Sequence, residues 1–133
     1  MKPRILLIVH QLTSNPGRIG QLVDAYGCEA VICRPACGDL LPESMDDYAG
    51  AVMFGGPMSA NDDHLPFIRD ELDWMDVALR SGKPFMGICL GAQILARFLG
   101  GTVEGHPEGF HEIGYYKVTP SPAGQGLFDD EQH

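Results

Sequence analysis

The sequence predicts a doubly wound α/β domain, a mostly parallel sheet with helices on both faces. Short apolar runs alternate along the chain with stretches whose apolar residues fall at helical spacing. The first run, Ile5-Leu6-Leu7-Ile8-Val9, is uninterrupted, as in parallel strands covered on both sides. Glycine-rich breaks follow two later runs, at Gly55-Gly56-Pro57 and Gly87-Ile88-Cys89-Leu90-Gly91.

Taken in order, residues 4–9 read as the first strand. Thr13-Ser14-Asn15-Pro16-Gly17 has turn chemistry, and Ile19, Leu22, Val23 and Tyr26 then mark a helix that Gly27 ends. Residues 30–33 form the second strand, and Glu29-Ala30-Val31-Ile32, flanked by Cys28 and Cys33, is expected to be buried. A Pro-, Gly- and acid-rich connection over residues 34–47 leads to a third strand at 51–54. Asn61, Asp62 and Asp63 offer caps for a helix over 66–80, with Leu72, Met75, Val77, Ala78 and Leu79 as its apolar side. Ser81-Gly82-Lys83-Pro84 turns the chain into a strand at 85–88, and a helix over 90–99 stops at Gly100-Gly101. Beyond it, residues 102–104 and 113–118 alternate like strands, joined by a Gly- and His-rich loop.

The 133 residues suit one domain over 1–133, and 44% apolar residues are enough for a core. With 18 acidic side chains against 9 basic ones, the formal charge is −9. Nine scattered cations do not make a phosphate-tracking surface, so nucleic acid is not an expected partner. Nor is a membrane, since no apolar run approaches the ~18 residues needed to span one. The N-terminal apolar run is short and is followed by His10-Gln11 with no small-residue cleavage site, so the expected location is cytoplasmic.

Cysteines stand at 28, 33, 37 and 89, spacings that match neither a zinc half-site nor a redox pair. Asp62-Asp63-His64 could mimic metal ligands, but neighbouring side chains do not converge unaided, and the expectation is no metal and no cofactor. Cys89 differs from the other three. It lies between a strand and a helix with glycine two residues to either side, the nucleophile-elbow arrangement with Cys in place of Ser. Such a turn is too tight for flanking side chains, and it lifts the sulfur to a helix N-terminus that favours thiolate. Gly55-Gly56 ends a neighbouring strand and exposes N–H groups of the kind an acyl transfer needs for its oxyanion. The Gly56 and Leu90 N–H groups are the natural pair.

Gly55-Gly56-Pro57-Met58-Ser59, followed by Gly87-Ile88-Cys89-Leu90-Gly91-Ala92-Gln93, resembles the class I glutamine amidotransferases, most closely single-domain members like the amidotransferase part of GMP synthase. The similarity runs from Ile5 to Glu112-Ile113-Gly114-Tyr115. It implies a flavodoxin-like fold, and a cysteine that attacks the side-chain amide of glutamine, releases ammonia and is freed from the thioester by water. Cys89 takes the nucleophile position, Gly56 and Leu90 the oxyanion-hole positions, and Gly55, Met58 and Gln93 substrate-binding ones. The family's mechanism needs no cofactor, and a stand-alone amidotransferase domain implies a synthetase partner that accepts ammonia. The chain carries no Gly-x4-Gly-Lys-Ser/Thr loop of its own.

In one respect the sequence departs from the resemblance. The family's general base is a His oriented by a Glu two residues later, near the end of its domain. This sequence stops at Asp129-Asp130-Glu131-Gln132-His133, and the expectation is a chain cut before that segment, its C-terminal strands and covering helix missing. An unpaired parallel edge favours pairing with another chain, so a homo-oligomer is also expected. His106-Pro107-Glu108 has the right spacing but follows the elbow helix, which carries the chain about 15 Å from the sulfur; strand 102–104 recovers about 10 Å. A surface loop is the favoured reading there.

His10 ends the first strand on the side of the site, as a binding contact or a loop hydrogen-bonder. His64 reads as a helix-entry residue, His111 and His133 as solvated, and Asp46-Asp47 and Asp129-Asp130 as exposed turns. Three rival functions stay open: a γ-glutamyl hydrolase or peptidase using the same elbow, a non-catalytic glutamine-binding module, and a redox role for Cys89.

Overall fold

The computed structural model describes residues 1–128. The chain divides into two compact units, Met1–Val103 and Glu104–His133. Asp129-Asp130 and His133 lie outside the described residues.

In the first unit, four parallel strands form one sheet: β1 (Arg4–Ile8), β2 (Glu29–Cys33), β3 (Gly50–Met53) and β4 (Phe85–Gly87). Their order is β2-β1-β3-β4. Ile8 pairs in register with Cys33 on one side and Met53 on the other, and Met53 with Gly87. The chain adds β2 on one side of β1, then returns to add β3 and β4 on the other. Beyond the carboxyl ends of β1 and β3, where the direction of winding reverses, such sheets hold their ligands.

The connecting helices are α1 (Gly17–Ala25), α2 (Pro66–Arg80) and α3 (Leu90–Phe98). Alternation along β1 sends Leu6 and Ile8 to one face and Leu7 and Val9 to the other, and all four are buried. Leu6 and Ile8 join Ala51 and Met53 in a core with Ile68, Trp74, Met75 and Ala78 of α2 and Leu90 and Ile94 of α3. The Trp74 indole N–H donates to the Pro42 carbonyl at 2.9 Å and anchors the long connection after β2.

Helix boundaries follow the glycines and prolines. Gly27, at φ +75°, ends α1, and Gly100, at φ +90°, ends α3. Pro66 opens α2 at its first helical position, where no N–H is needed. The expected caps are placed otherwise. Leu65 occupies the N-cap position with no side-chain cap, because Asn61, Asp62 and Asp63 come too early and serve the loop instead. Asp62 Oδ2 accepts from the Ser59 N–H at 2.8 Å, and the Asn61 side-chain amide donates to the Val103 carbonyl at 2.6 Å. Asp63 receives both Arg97 Nη atoms, and that guanidinium holds its carboxyl below the usual carboxylate range. Arg97 also reaches the Ala60 carbonyl at 2.9 Å, tying α3 to the loop after β3.

Three other expectations need correction. Strand β2 is an edge strand whose Glu29, Ala30 and Ile32 are exposed, since only β1 flanks it. The buried stripe of α2 is Ile68, Glu71, Trp74, Met75 and Ala78, with Leu72, Val77 and Leu79 only half-buried beside it. Residues 102–104 and 113–118 are not strands. A strand needs a neighbour for its N–H and C=O groups, and these residues pair with none among the described residues. Val103 instead packs against the core, while Ile113, Tyr115 and Val118 of the second unit stay exposed. Within that unit, the His106 ring lies against Phe110 at 4.9 Å, and a 3-10 turn runs over Pro122–Gly124.

Ile94 is wholly buried where α3 meets the sheet. Ile94→Ala is expected to cost about 3 kcal/mol, read by urea unfolding with Trp74 fluorescence. A loss well under 1 kcal/mol would contradict this packing.

Candidate active site

Two strand ends meet at the carboxyl edge of the sheet. Strand β3 leaves through Phe54, whose N–H donates to the Ile8 carbonyl at 2.9 Å, into Gly55-Gly56. Strand β4 leaves through Ile88, whose N–H donates to the Met53 carbonyl at 2.9 Å, into Cys89. The Gly91 N–H returns to the Ile88 carbonyl at 3.0 Å, and the Gln93 N–H to the Cys89 carbonyl at 3.0 Å. Helix α3 thus begins directly after the strand.

The glycines around this turn answer to space. A Cβ on Gly91 would stand 2.0 Å from the Met53 carbonyl oxygen, and one on Gly87 2.7 Å from Ala92 backbone. Cys89 between them has φ +52° and ψ −110°, and among the described residues no other non-glycine residue has positive φ. Left-handed backbone carries strain for an L-residue, and here the packing of α3 on β3 imposes it. The side chain stands exposed at the N-terminus of α3.

Gly55 and Gly56 lie against that turn. A Cβ on Gly55 would come within 3.2 Å of Cys89 Cβ and 3.7 Å of its Sγ; one on Gly56 would meet His10 Cβ at 2.9 Å and Leu90 Cδ2 at 3.2 Å. The structure therefore brings Gly55, Gly56, Cys89 and Leu90 together, with Gln93 one helical turn on. Neither the Gly56 nor the Leu90 N–H has a hydrogen-bond partner among the described residues. The Gln93 side chain is half-buried and unbonded among them, and Met58 is half-buried against the core.

Under the Gly55-Gly56 turn lies a buried polar pair. His10 Nδ1 is 3.1 Å from the Gly55 carbonyl oxygen and Nε2 is 2.5 Å from Glu71 Oε1, with both side chains fully enclosed. A carbonyl only accepts, so Nδ1 carries a proton and donates. One further proton lies between Nε2 and Oε1. Burial alone would lower the His10 pKa, but the hydrogen bond and charge of Glu71 outweigh it and raise it above 6.5. Burial raises Glu71 above 4.5, and His10 offsets this only in part. Glu71 Oε2 is buried with no partner among the described residues. The sequence reading left His10 between binding contact and loop hydrogen-bonder, and the structure makes it a buried hydrogen-bonder. Glu71 was missed altogether, although an acid spaced three, four and seven from Ile68, Met75 and Ala78 on a helical stripe was a readable signal.

The remaining candidates lie elsewhere. His64, Cys37, Asp46 and Asp47 are exposed, and burial pushes the Cys33 thiol up to about 11. In the second unit the Glu108 N–H donates to His106 Nδ1 at 3.1 Å, so the Glu108 backbone, and not its carboxylate, engages that ring. No group of three metal-ligating side chains converges among the described residues. No helix among them is long and apolar enough to cross a membrane. A cavity of about 430 Å³ opens between the connection after β2 and α2, lined by Leu40, Leu41, Asp70, Asp73 and Trp74; it shares no residue with the Cys89 turn.

A pH dependence follows from the buried pair. Both folded pKa values are raised, so the stability from the pair's protons is fully present below the unfolded Glu value of 4.5; the Glu71 share is lost as pH rises from there through its folded value, and the His10 share as pH rises from 6.5 through its own. Between about pH 6 and about pH 9, the unfolding free energy of the wild type is expected to fall more steeply than that of Glu71→Gln, in which burial keeps His10 neutral. Equal slopes in urea titrations would contradict a shared proton.

Comparison with known proteins bears on the family and the fold. The family model described as glutamine amidotransferase class-I matches residues 14–127. The glutamine amidotransferase-like protein YfeJ of Salmonella typhimurium is 30% identical over 125 residues, which cover 91% of this chain and 52% of YfeJ. The GMP synthase of Edwardsiella ictaluri is 32% identical over 104 residues, covering 77% of this chain and 18% of that protein. A solved glutamine amidotransferase from Methylobacillus flagellatus superimposes with a TM-score of 0.71 at 34% identity, over 80% of this chain and 42% of that one. The chain thus spans about half of YfeJ, and less of the other two. With a match over most of its length and a flavodoxin-like sheet, the chain belongs to the class I glutamine amidotransferase family.

Proposed function

We propose that the protein hydrolyses the side-chain amide of glutamine, or of a related γ-glutamyl compound, through a thioester on Cys89. The observation that carries this reading is the strained Cys89 turn at the start of α3, packed against the Gly55-Gly56 strand end with two N–H groups unpartnered. Cys89 Sγ as thiolate attacks the amide carbon, and the carbonyl oxygen becomes an oxyanion. The Gly56 and Leu90 N–H groups receive that charge, aided by the positive end of the α3 dipole. The C–N bond then breaks, nitrogen takes a proton and leaves as ammonia, and water hydrolyses the thioester to glutamate and free thiol. Gly55, Met58 and Gln93 are the groups assigned to hold the glutamine.

The proton for the leaving nitrogen does not come from His10, whose two ring nitrogens are both engaged inside the core. The family resemblance assigns that step to a His-Glu pair. Release of free ammonia calls for an acceptor, and the likeness to GMP synthase supports a synthetase partner that takes it up. Four free thiols accord with a reducing, cytoplasmic setting. A second reading is a module that binds glutamine without turning it over.

Ammonia release from glutamine is expected to depend on Cys89, with Cys89→Ala slower by at least about a thousandfold. Equal release from both proteins would contradict the thioester. Cleavage of γ-glutamyl peptides with no action on glutamine would select the hydrolase relative, and saturable glutamine binding without turnover would select the binding module.

A further inference from the structure

Nothing in the thioester chemistry itself requires a buried His-Glu pair, yet one lies directly beneath the turn that chemistry would use. A peptide unit is planar, and in its trans form the C=O and N–H point in opposite directions. The Gly55 carbonyl and the Gly56 N–H belong to one such unit, and no cis peptide occurs among the described residues. A donor that holds the Gly55 oxygen toward the core therefore turns the Gly56 N–H away from it. His10 Nδ1 is that donor, at 3.1 Å. Glycine at 55 and 56 leaves this unit free to rotate, since neither residue has a side chain to resist it.

Building on the reading of Cys89 as the acylated nucleophile, we propose that His10 and Glu71 are positioning residues that fix the Gly55–Gly56 peptide with its N–H presented to the oxyanion. Glu71 acts through His10. Its Oε1, 2.5 Å from Nε2, keeps a proton on Nδ1 in either form of the pair. As carboxylate it faces an imidazolium, and as acid it donates to Nε2 of the neutral ring. Without it the neutral ring could carry its proton on Nε2 and turn a lone pair toward the Gly55 oxygen, which would repel the turn. Leu90 Cδ2 and His10 Cβ stand beside Gly56, and Phe67 lies at a tilt 6.3 Å from the imidazole. Stability alone does not account for the pair, because Glu71 Oε2 is buried without a partner among the described residues, and buried ion pairs rarely stabilise a fold beyond an apolar replacement.

The test compares two variants of the full chain. His10→Leu with Glu71→Leu removes both polar groups together, so no buried charge is left unpaired and the core keeps its packing. It is expected to lower kcat for glutamine about a hundredfold, with KM changed less than about threefold and alkylation of Cys89 by iodoacetamide unchanged, since that reaction forms no oxyanion. Glu71→Gln, whose amide can donate to Nε2 and keep the proton on Nδ1, is expected to retain more than about a tenth of kcat. Equal kcat in the double variant and the wild type would overturn the proposal, as would equal losses in both variants. Crystal structures of the same proteins decide the matter independently of turnover. The Gly55–Gly56 peptide rotated in the double variant and unrotated in Glu71→Gln supports the positioning role, and the same orientation in all three overturns it. A wild type without glutamine turnover would instead count against the thioester reading, with the peptide orientation still deciding what the pair does.

Discussion

Helix α3 starts where it does because residue 91 has no side chain: a Cβ there would lie 2.0 Å from the Met53 carbonyl oxygen. That approach lets the helix sit over the end of β3, and the strand before it must then turn within a single residue. Cys89 is the residue that turns, at φ +52°. Backbone strain of this kind costs on the order of 1–3 kcal/mol and persists only where surrounding packing enforces it. Here the enforcing contacts are the burial of Leu90 and Ile94 in the core and the ladder bond from Ile88 to Met53. The exposure of the sulfur and the unpartnered N–H of Leu90 follow from the same contact.

The second constraint comes from the other side of the switch point. β1 and β3 lie side by side, so the second residue after β1 lands beneath the residues after β3. His10 fills that place, and the lack of Cβ atoms at Gly55 and Gly56 lets the turn close over it. Glu71 reaches the same spot from α2 because its position on the helix faces the core between Ile68 and Met75. The polar pair therefore needs nothing beyond topology and register to meet. What its retention calls for is a reason to keep a carboxyl group in a core, and the orientation of one peptide unit is such a reason. Arg97, bound to Asp63 and to the Ala60 carbonyl, braces the loop that follows.

Most of this was legible in the sequence, for identifiable physical causes. The uninterrupted apolar run in β1, the Pro66 start of α2 and the Gly27 and Gly100 stops each express a local rule that tertiary structure did not override. The Cys89 turn was readable because its glycine spacing answers to close backbone approach. The misses share another cause. Alternation at 102–104 and 113–118 describes a surface that could join a sheet, but hydrogen-bonded neighbours make a strand, and these residues pair with none among the described residues. Burial of β2 was misjudged because a central and an edge strand can carry the same short apolar run, and order in the sheet is not local information. Glu71 was passed over because an acid on a helix is usually solvated, and only its partner on a different element, 61 residues away in sequence, gives it a role.

The account rests on Cys89 being presented, by this one turn, to a glutamine side chain. The most direct measurement is labelling with a chloroketone analogue of glutamine, followed by peptide mapping of all four cysteines. Cys89 alone should be labelled, with excess glutamine protecting it, although Cys37 is also exposed. Labelling of Cys37 and Cys89 alike, or labelling of Cys89 that glutamine does not slow, would contradict the account.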